Sequence, residues 1–314
     1  MKKVSRKVTG VVGALILATS LSLPVYAKDE AKSILFSGGL DKPGIYVFDP
    51  DTLKTKQITS GSSVDLSPDG DLITYINNDS VYMANSNGSE PVRLTNGKFP
   101  EFDSSPRWSP DGKKIVFARS DGNIYTVDAA NRKVTRLTNA EDGVYHSSPD
   151  WSPDGEKIVF HSSDKNGYAD LYMMNSDGSN ITQITGKNEK NSSEYAPHFS
   201  SDGKYLLFEK SKEGETDIYV MNLATKQAQN ITKNFDQPVS GSIWSEDGNK
   251  VLYTVNEEKG KEEESSRFYI MNKDGSNKTL LKLQVDFATP SEWQSLNPEK
   301  EDNFLNKVKN FLFE

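Results

Sequence analysis

Trp108-Ser-Pro-Asp-Gly112 is answered further along the chain by Trp151-Ser-Pro-Asp-Gly155, and weaker copies stand at Leu66-Ser-Pro-Asp-Gly70, Phe199-Ser-Ser-Asp-Gly203 and Trp244-Ser-Glu-Asp-Gly248. A phrase returning every 40 to 50 residues or so marks a repeat architecture, whose units bury their apolar faces only against neighbours. Each copy opens the same internal order. A short apolar strand follows the Asp-Gly (Lys114-Ile-Val-Phe117, Lys157-Ile-Val-Phe160, Tyr205-Leu-Leu-Phe208, Val251-Leu-Tyr253), then one built on Ile124-Tyr125, Leu171-Tyr172, Ile218-Tyr219 or Phe268-Tyr269. A turn rich in Asn, Asp and Gly leads to a last strand ending in Leu94-Thr95, Leu137-Thr138, Ile184-Thr185 or Ile231-Thr232. β-branched and aromatic runs between Asp-Gly and Asn/Gly turns predict four antiparallel strands per unit.

Complete units start near Val64, Pro106, Pro149, Pro197 and Ser242. Residues 33–60 (Ile34-Leu-Phe36, Ile45-Tyr-Val-Phe48, Gln57-Ile-Thr59) supply the second to fourth strands of another unit without its opening phrase, which appears instead as Pro290-Ser-Glu-Trp293. A first blade completed by a strand from the far end closes a ring and leaves no long free sheet edge. The predicted fold is all-β, a six-bladed β-propeller of four-stranded antiparallel blades closed by a C-terminal strand, spanning residues 28–298.

Both flanks read differently. Lys2, Lys3, Arg6 and Lys7, the apolar stretch Val11 to Leu23 and the exit Val25-Tyr26-Ala27 predict a signal peptide over residues 1–27. Its apolar core is short for a membrane span, and with no cysteine in the chain the expectation is an exported, disulfide-free protein of a bacterial envelope or its surroundings. Residues 299–314 place Phe304, Leu305, Val308, Phe311 and Leu312 at helical spacing, predicting a short amphipathic helix that docks on the propeller, with membrane attachment and partner binding as the alternatives. Losing residues 1–27 removes four basic residues and no acids, taking the formal charge from −8 to −12. So acidic a surface repels nucleic acid and anionic lipid. Glu257 to Glu264 reads as a solvated charged loop.

The runs Pro106 to Phe117 and Pro149 to Phe160, with Leu171 to Gly178 as the middle strand, resemble the TolB-type, WD-repeat-like propeller family over nearly the whole chain beyond residue 27. TolB proper carries an N-terminal α/β domain ahead of its propeller, for which the residues between Ala27 and the first strand leave no room. The resemblance implies a propeller that binds partners. Residues of the repeat itself build blades and carry no activity.

Catalytic signatures are sparse. There is no Gly-x-Ser-x-Gly, no phosphate-binding Gly-x-x-x-x-Gly-Lys and no Gly-x-Gly-x-x-Gly, and without Cys neither thiol catalysis nor thiolate metal ligation can occur. The candidate binding surface is the axial mouth, where loops feeding the first strand of each blade carry Glu101, Phe102, Asp103, Asp142, Tyr145, His146, Glu194, Tyr195, Asp236 and Gln237. Carboxylates mixed with aromatics suit a basic peptide or a sugar; the alternative is that they only solvate their loops. The residue before each repeat aromatic points opposite to it, which gives a second set: Asp65, Arg107, Asp150, His198, Ile243 and Glu292. We expect these to form an inter-blade salt-bridge ladder around the channel; a cation-binding collar is the rival, and its oxygen ligands would take calcium.

His146 and His198 are expected near the channel entrance of neighbouring blades, and some pectin-fragment lyases built on related propellers hold a metal with several His residues. Only three His exist here, and a uronate substrate would want basic residues. The sequence thus predicts a monomeric, non-enzymatic binding protein without a required cofactor, recognising a protein or polysaccharide at the axial face. It predicts no nucleic-acid partner and no membrane span. The competing class is a metal-dependent oligouronide lyase working at the channel mouth.

Overall fold

A computed structural model describes residues 33–39, 43–49, 52–97, 100–186, 191–233, 235, 239–259, 263–285 and 288–293. Among these residues twenty-four strands, β1 to β24 in chain order, form six four-stranded antiparallel sheets. Five blades follow the chain. The remaining blade, the first in chain order, joins β24 (Ala288–Trp293), β1 (Ile34–Gly39), β2 (Pro43–Asp49) and β3 (Lys54–Thr59) side by side; β24 pairs with β1 and sets Trp293 opposite Ile34. The ring therefore closes by strand pairing between distant parts of the chain, as its incomplete first unit predicts.

Every word of the repeat has a structural task. In Ser-Pro-Asp-Gly, the Ser109 hydroxyl donates to Asp111 Oδ1 at 2.6 Å and accepts the Lys114 N–H at 2.9 Å, while Gly112 takes φ +68°. The same bonds recur at Ser67, Ser152, Ser200 and Ser245. Short polar side chains and one left-handed glycine thus satisfy the backbone of a tight hairpin. The Phe of the second strand and the Tyr of the third oppose each other directly: Phe117 with Tyr125, Phe160 with Tyr172 and Phe208 with Tyr219, ring centroids 5.7, 5.9 and 5.6 Å apart. Cross-strand aromatic pairs contribute about 0.2–1 kcal/mol each. The terminal Thr hydroxyl accepts a third-strand N–H, from Val81, Ile124, Leu171 and Ile218 to Thr95, Thr138, Thr185 and Thr232. It stands in for the strand bond lost where the outer strand stops.

Those outer strands are short in four blades: β7 (Val92–Arg93), β11 (Val134–Arg136), β15 (Thr182–Gln183) and β19 (Ala228–Asn230). In the two blades at the closure they are longer, β3 (Lys54–Thr59) and β23 (Thr279–Val285). The core is divided into six apolar clusters, each spanning two neighbouring blades, so that all six seams are apolar. Phe36, Phe48, Phe117, Phe160 and Phe268 are essentially inaccessible. Full burial of one such side chain contributes about 1.5–3 kcal/mol, which makes blade-to-blade packing the main source of stability.

One expectation is corrected. The innermost strands reach further toward the loop side than the repeat phrase suggests, beginning at Asp103 in β8 (Asp103–Trp108), Tyr145 in β12 (Tyr145–Trp151) and Ser192 in β16 (Ser192–Phe199). Each continues through a β-bulge marked by a left-handed residue, Ser105, Ser148 or Ala196, just before the proline. A bulge admits the extra residue without ending the pairing. No described helix is long and apolar enough to cross a membrane. The signal peptide expected over 1–27 and the helix expected over 299–314 lie outside the described residues.

Candidate functional site

Strand alternation fixes two faces. The first strand of each blade runs from one face, here the loop face, to the Ser-Pro-Asp-Gly turn on the other. The hairpin between second and third strands must therefore return to the loop face. On blades three and four this face carries Phe102, Tyr145 and Tyr168, exposed by 51, 55 and 47%. The Phe102 backbone N–H donates to Ser120 Oγ at 3.0 Å and its carbonyl accepts the Ser120 N–H at 2.9 Å. Tyr145 lies against Gly122 on the other side of that hairpin tip, where the neighbouring His146 N–H donates to the Gly122 carbonyl at 3.0 Å. Loop residue Gly143 abuts Lys165 in the next tip, and Tyr168 donates from its hydroxyl to Asn191 Oδ1 at 3.2 Å. The three aromatics thus stand along one continuous strip. Glu101 and Asp142 are exposed beside them.

Not all predicted mouth residues reach that surface. Asp103 is 2% exposed: its carboxylate accepts from Thr95 Oγ1 of the preceding blade at 2.5 Å and from Arg119 Nε at 2.7 Å. Glu194 is equally buried, bonded to Lys210 Nζ at 3.1 Å and to Thr185 Oγ1 of the preceding blade at 3.5 Å. Both stand five positions before the repeat aromatic, on the extended part of the strand, and are turned into a seam. Asp170 adds a second carboxyl to the Glu194 seam and shares a hydrogen bond with it; burial raises the pKa of both, against the pull of Lys210 on Glu194. His146 is half-buried, its ring 5.0 Å from Phe160, and Tyr195 meets His161 edge-on at 5.4 Å. Asp236 and Gln237 lie outside the described residues.

The collar residues do come together. Asp65, Arg107, Asp150 and His198 line one cavity of about 230 Å³ at the turn-face end of the channel, below an axial cavity of about 170 Å³ that Arg107 and His198 also border. Arg107 Nη1 is 2.9 Å from Asp65 Oδ1, while Asp65 Oδ2 accepts the Trp108 N–H at 2.7 Å. Asp150 repeats this two blades on, accepting the Phe199 N–H at 2.9 Å, with His198 Nδ1 3.8 Å away. At the intervening seams the tryptophan bonds instead: Trp151 Nε1 donates to the Arg107 carbonyl at 3.3 Å and Trp244 Nε1 to the His198 carbonyl at 3.1 Å. Carboxylate and indole take turns as the tie between successive blades. Burial raises the Asp150 pKa to about 6, helped by the Asp65 charge and opposed by Arg107 and backbone N–H groups. His198 is pushed well below its usual range by burial and by Arg107. The side chain of Glu292 lies outside the described residues, though its backbone pairs with Leu35.

The histidines do not converge. His146 pairs with Ser162 and His161 with Ser147, which puts the two imidazoles on opposite faces of one sheet. His198 sits one position before the repeat aromatic and His146 five, and with one residue taken up by the bulge they lie about 10 Å apart in depth along the strand direction. That separation corrects the expectation that they share the channel entrance. Burial lowers the pKa of both His146 and His161, the latter to about 4. Among the described residues no group of three or more His, Asp and Glu is arranged to hold a metal ion.

Sequence reasoning missed Tyr168, Asp121 and Asp164, all on hairpins between second and third strands. Antiparallel alternation was the signal that could have found them, since those hairpins emerge on the same face as the loops feeding the first strands.

A family profile described as the TolB beta propeller domain matches residues 44–195. A search of curated proteins found no significant match. Among solved structures, TolB from Acinetobacter baumannii is similar at 22% identity and a TM-score of 0.64, over 85% of this chain and 65% of that one, less than two thirds of its length. A TolB-like protein from Agrobacterium tumefaciens aligns at 20% identity and a TM-score of 0.65, covering 85% of this chain and 93% of its own. An oligogalacturonate lyase in complex with manganese aligns at 17% identity and a TM-score of 0.58, over 79% of this chain and 73% of that one. At such identities these structures speak to fold alone.

Proposed function

Because this chain belongs to the TolB-type β-propeller family, we propose that it is an exported binding protein that recognises a protein or cell-envelope polysaccharide on its loop face. The observation that carries the proposal is the clustering of the three strongly exposed aromatics among the described residues, Phe102, Tyr145 and Tyr168, on that face of two neighbouring blades. Large aromatics left in water are the usual anchors of recognition surfaces. The polar groups of the collar, by contrast, are engaged in ties between blades. Export rests on the leader-like residues 1–27.

Site-specific photo-crosslinking tests this. A photoreactive residue at Tyr145 should capture a discrete protein or glycan in the native envelope, whereas the same residue at Lys113, exposed on the turn face, should not. Equal capture at both positions, or none at either, would refute the assignment. The competing oligouronide lyase is favoured by one observation, the likeness of fold to oligogalacturonate lyase. Release of unsaturated product from oligogalacturonate by the purified chain, with or without added manganese, would establish it instead.

A further inference from the structure

Resting on the loop-face reading, we propose that the occupant of this strip is a cationic segment of a polypeptide, one in which Lys or Arg alternates with apolar residues. The argument is charge complementarity. Around Phe102 stand Glu101 and Asp121; around Tyr145 stand Glu141 and Asp142; beside Tyr168 stands Asp164, and all five acids are exposed. Lys165 is the one exposed cation in the described loops that carry these residues, residues 100–102, 120–122, 139–144 and 164–168.

Two of these acids are bound into their own hairpin tips. Asp164 is held below the usual carboxylate range by hydrogen bonds from Asn166 and the turn amides, which outweigh its desolvation. Asp121 accepts the Tyr125 hydroxyl at 2.6 Å, and burial together with this carboxylate pushes the Tyr125 pKa up to about 12. Two guanidinium groups lie close by: Arg119 is already committed to Asp103 and lies over the Tyr125 ring at 4.8 Å, and the exposed Arg136 donates to the Thr138 carbonyl at 2.7 Å and to Asn139 Oδ1 at 2.9 Å, so five carboxylates still outnumber the exposed cations Lys165 and Arg136.

An anionic polysaccharide would meet this field as repulsion. A neutral glycan would use the rings and leave the carboxylates unanswered. A segment bearing Lys or Arg satisfies both at once, because ammonium and guanidinium groups pair with carboxylates and also rest on aromatic faces. Such a field should also speed encounter and make it sensitive to salt.

The test uses three probes on the purified chain: a fluorescent peptide of Lys, Ser and Leu, its counterpart with Glu for Lys, and oligogalacturonate. The Lys peptide should bind, more weakly as salt rises, and the other two should not. Glu141→Gln with Asp142→Asn, and separately Phe102→Ala with Tyr145→Ala, should each weaken it about tenfold. These are exposed positions, so the fold should hold in both variants. Binding of the Glu peptide or oligogalacturonate as tightly as the Lys peptide would overturn the inference. So would Lys-peptide binding indifferent to the aromatic pair, which would mean diffuse attraction only. If Tyr145 captures a discrete partner in the envelope and the Lys peptide fails to compete, the cationic assignment falls while the loop face stands as a binding site. Failure of both capture and peptide binding removes the two together.

Discussion

Replacing Asp65 tests whether the collar ties blades together or is an ornament of the channel. Its two oxygens have separate duties: Oδ1 holds Arg107 at 2.9 Å and Oδ2 takes the Trp108 N–H of the next blade at 2.7 Å. Asp65→Ala leaves a mostly buried guanidinium and a buried N–H without this partner. Breaking a buried pair from one side costs about 3–5 kcal/mol and orphaning a donor about 1–3. Here the partial exposure of Arg107 and the nearby Asp150 both soften the loss, and the net expectation is about 2–4 kcal/mol in urea unfolding at neutral pH. Asp65→Asn keeps an acceptor for Trp108 and gives up only the charge, so it should cost about half as much. A second readout is independent of stability. Because the Asp65 charge helps raise the Asp150 pKa, either variant should move the Asp150 titration below about 6. An Asp65→Ala protein within about 0.5 kcal/mol of the parent, or one no worse than Asp65→Asn, would refute the reasoning.

Three further outcomes can be checked. Asp150 has a folded pKa of about 6, above the ordinary carboxylate value, so its contribution is fully present below pH 4 or so and is lost as pH rises toward 6; Asp150→Asn should flatten that part of a thermal-midpoint profile measured from pH 4 to 7. Gly178 adopts φ +87° and its added Cβ would come within 2.4 Å of the Leu137 carbonyl, so Gly178→Ala should lose more than about 1 kcal/mol in denaturant titration. Ending the chain at residue 287 removes β24 and exposes β1, and size-exclusion chromatography should then show self-association in place of the parent profile.

The architecture was readable because each repeated residue serves the backbone. Ser and Asp close a turn, Gly takes a left-handed conformation, Phe faces Tyr, and Thr ends a strand; these are local requirements that recur wherever a blade recurs. Ring closure was readable too, from a unit missing at one end and present at the other. The site was legible only in part. Phe102 and Tyr145 do stand exposed on the loop face, yet Asp103 and Glu194 looked identical in type to Glu101 and Asp142. What separates them is the bulge, which carries the first strand past the proline and turns those two carboxylates inward. Its positive φ falls on Ser105, Ser148 and Ala196, residues that carry no signature of it. The partners that bury them, Arg119 and Lys210, lie 16 residues away in sequence, and no periodicity announces such a pairing. The alternation of carboxylate and indole ties likewise depends on which tryptophan indole meets a carbonyl across a seam.

The abbreviated outer strands of blades two to five limit how anything can attach to this molecule. A rim segment two or three residues long offers too few free amides and carbonyls to template an incoming chain, so β-augmentation around that arc is denied to partners and to copies of the protein alike. Selectivity there must come from side chains presented on the disc's flat surfaces. Sequence change in the tips can then retune what is bound without disturbing the wheel beneath.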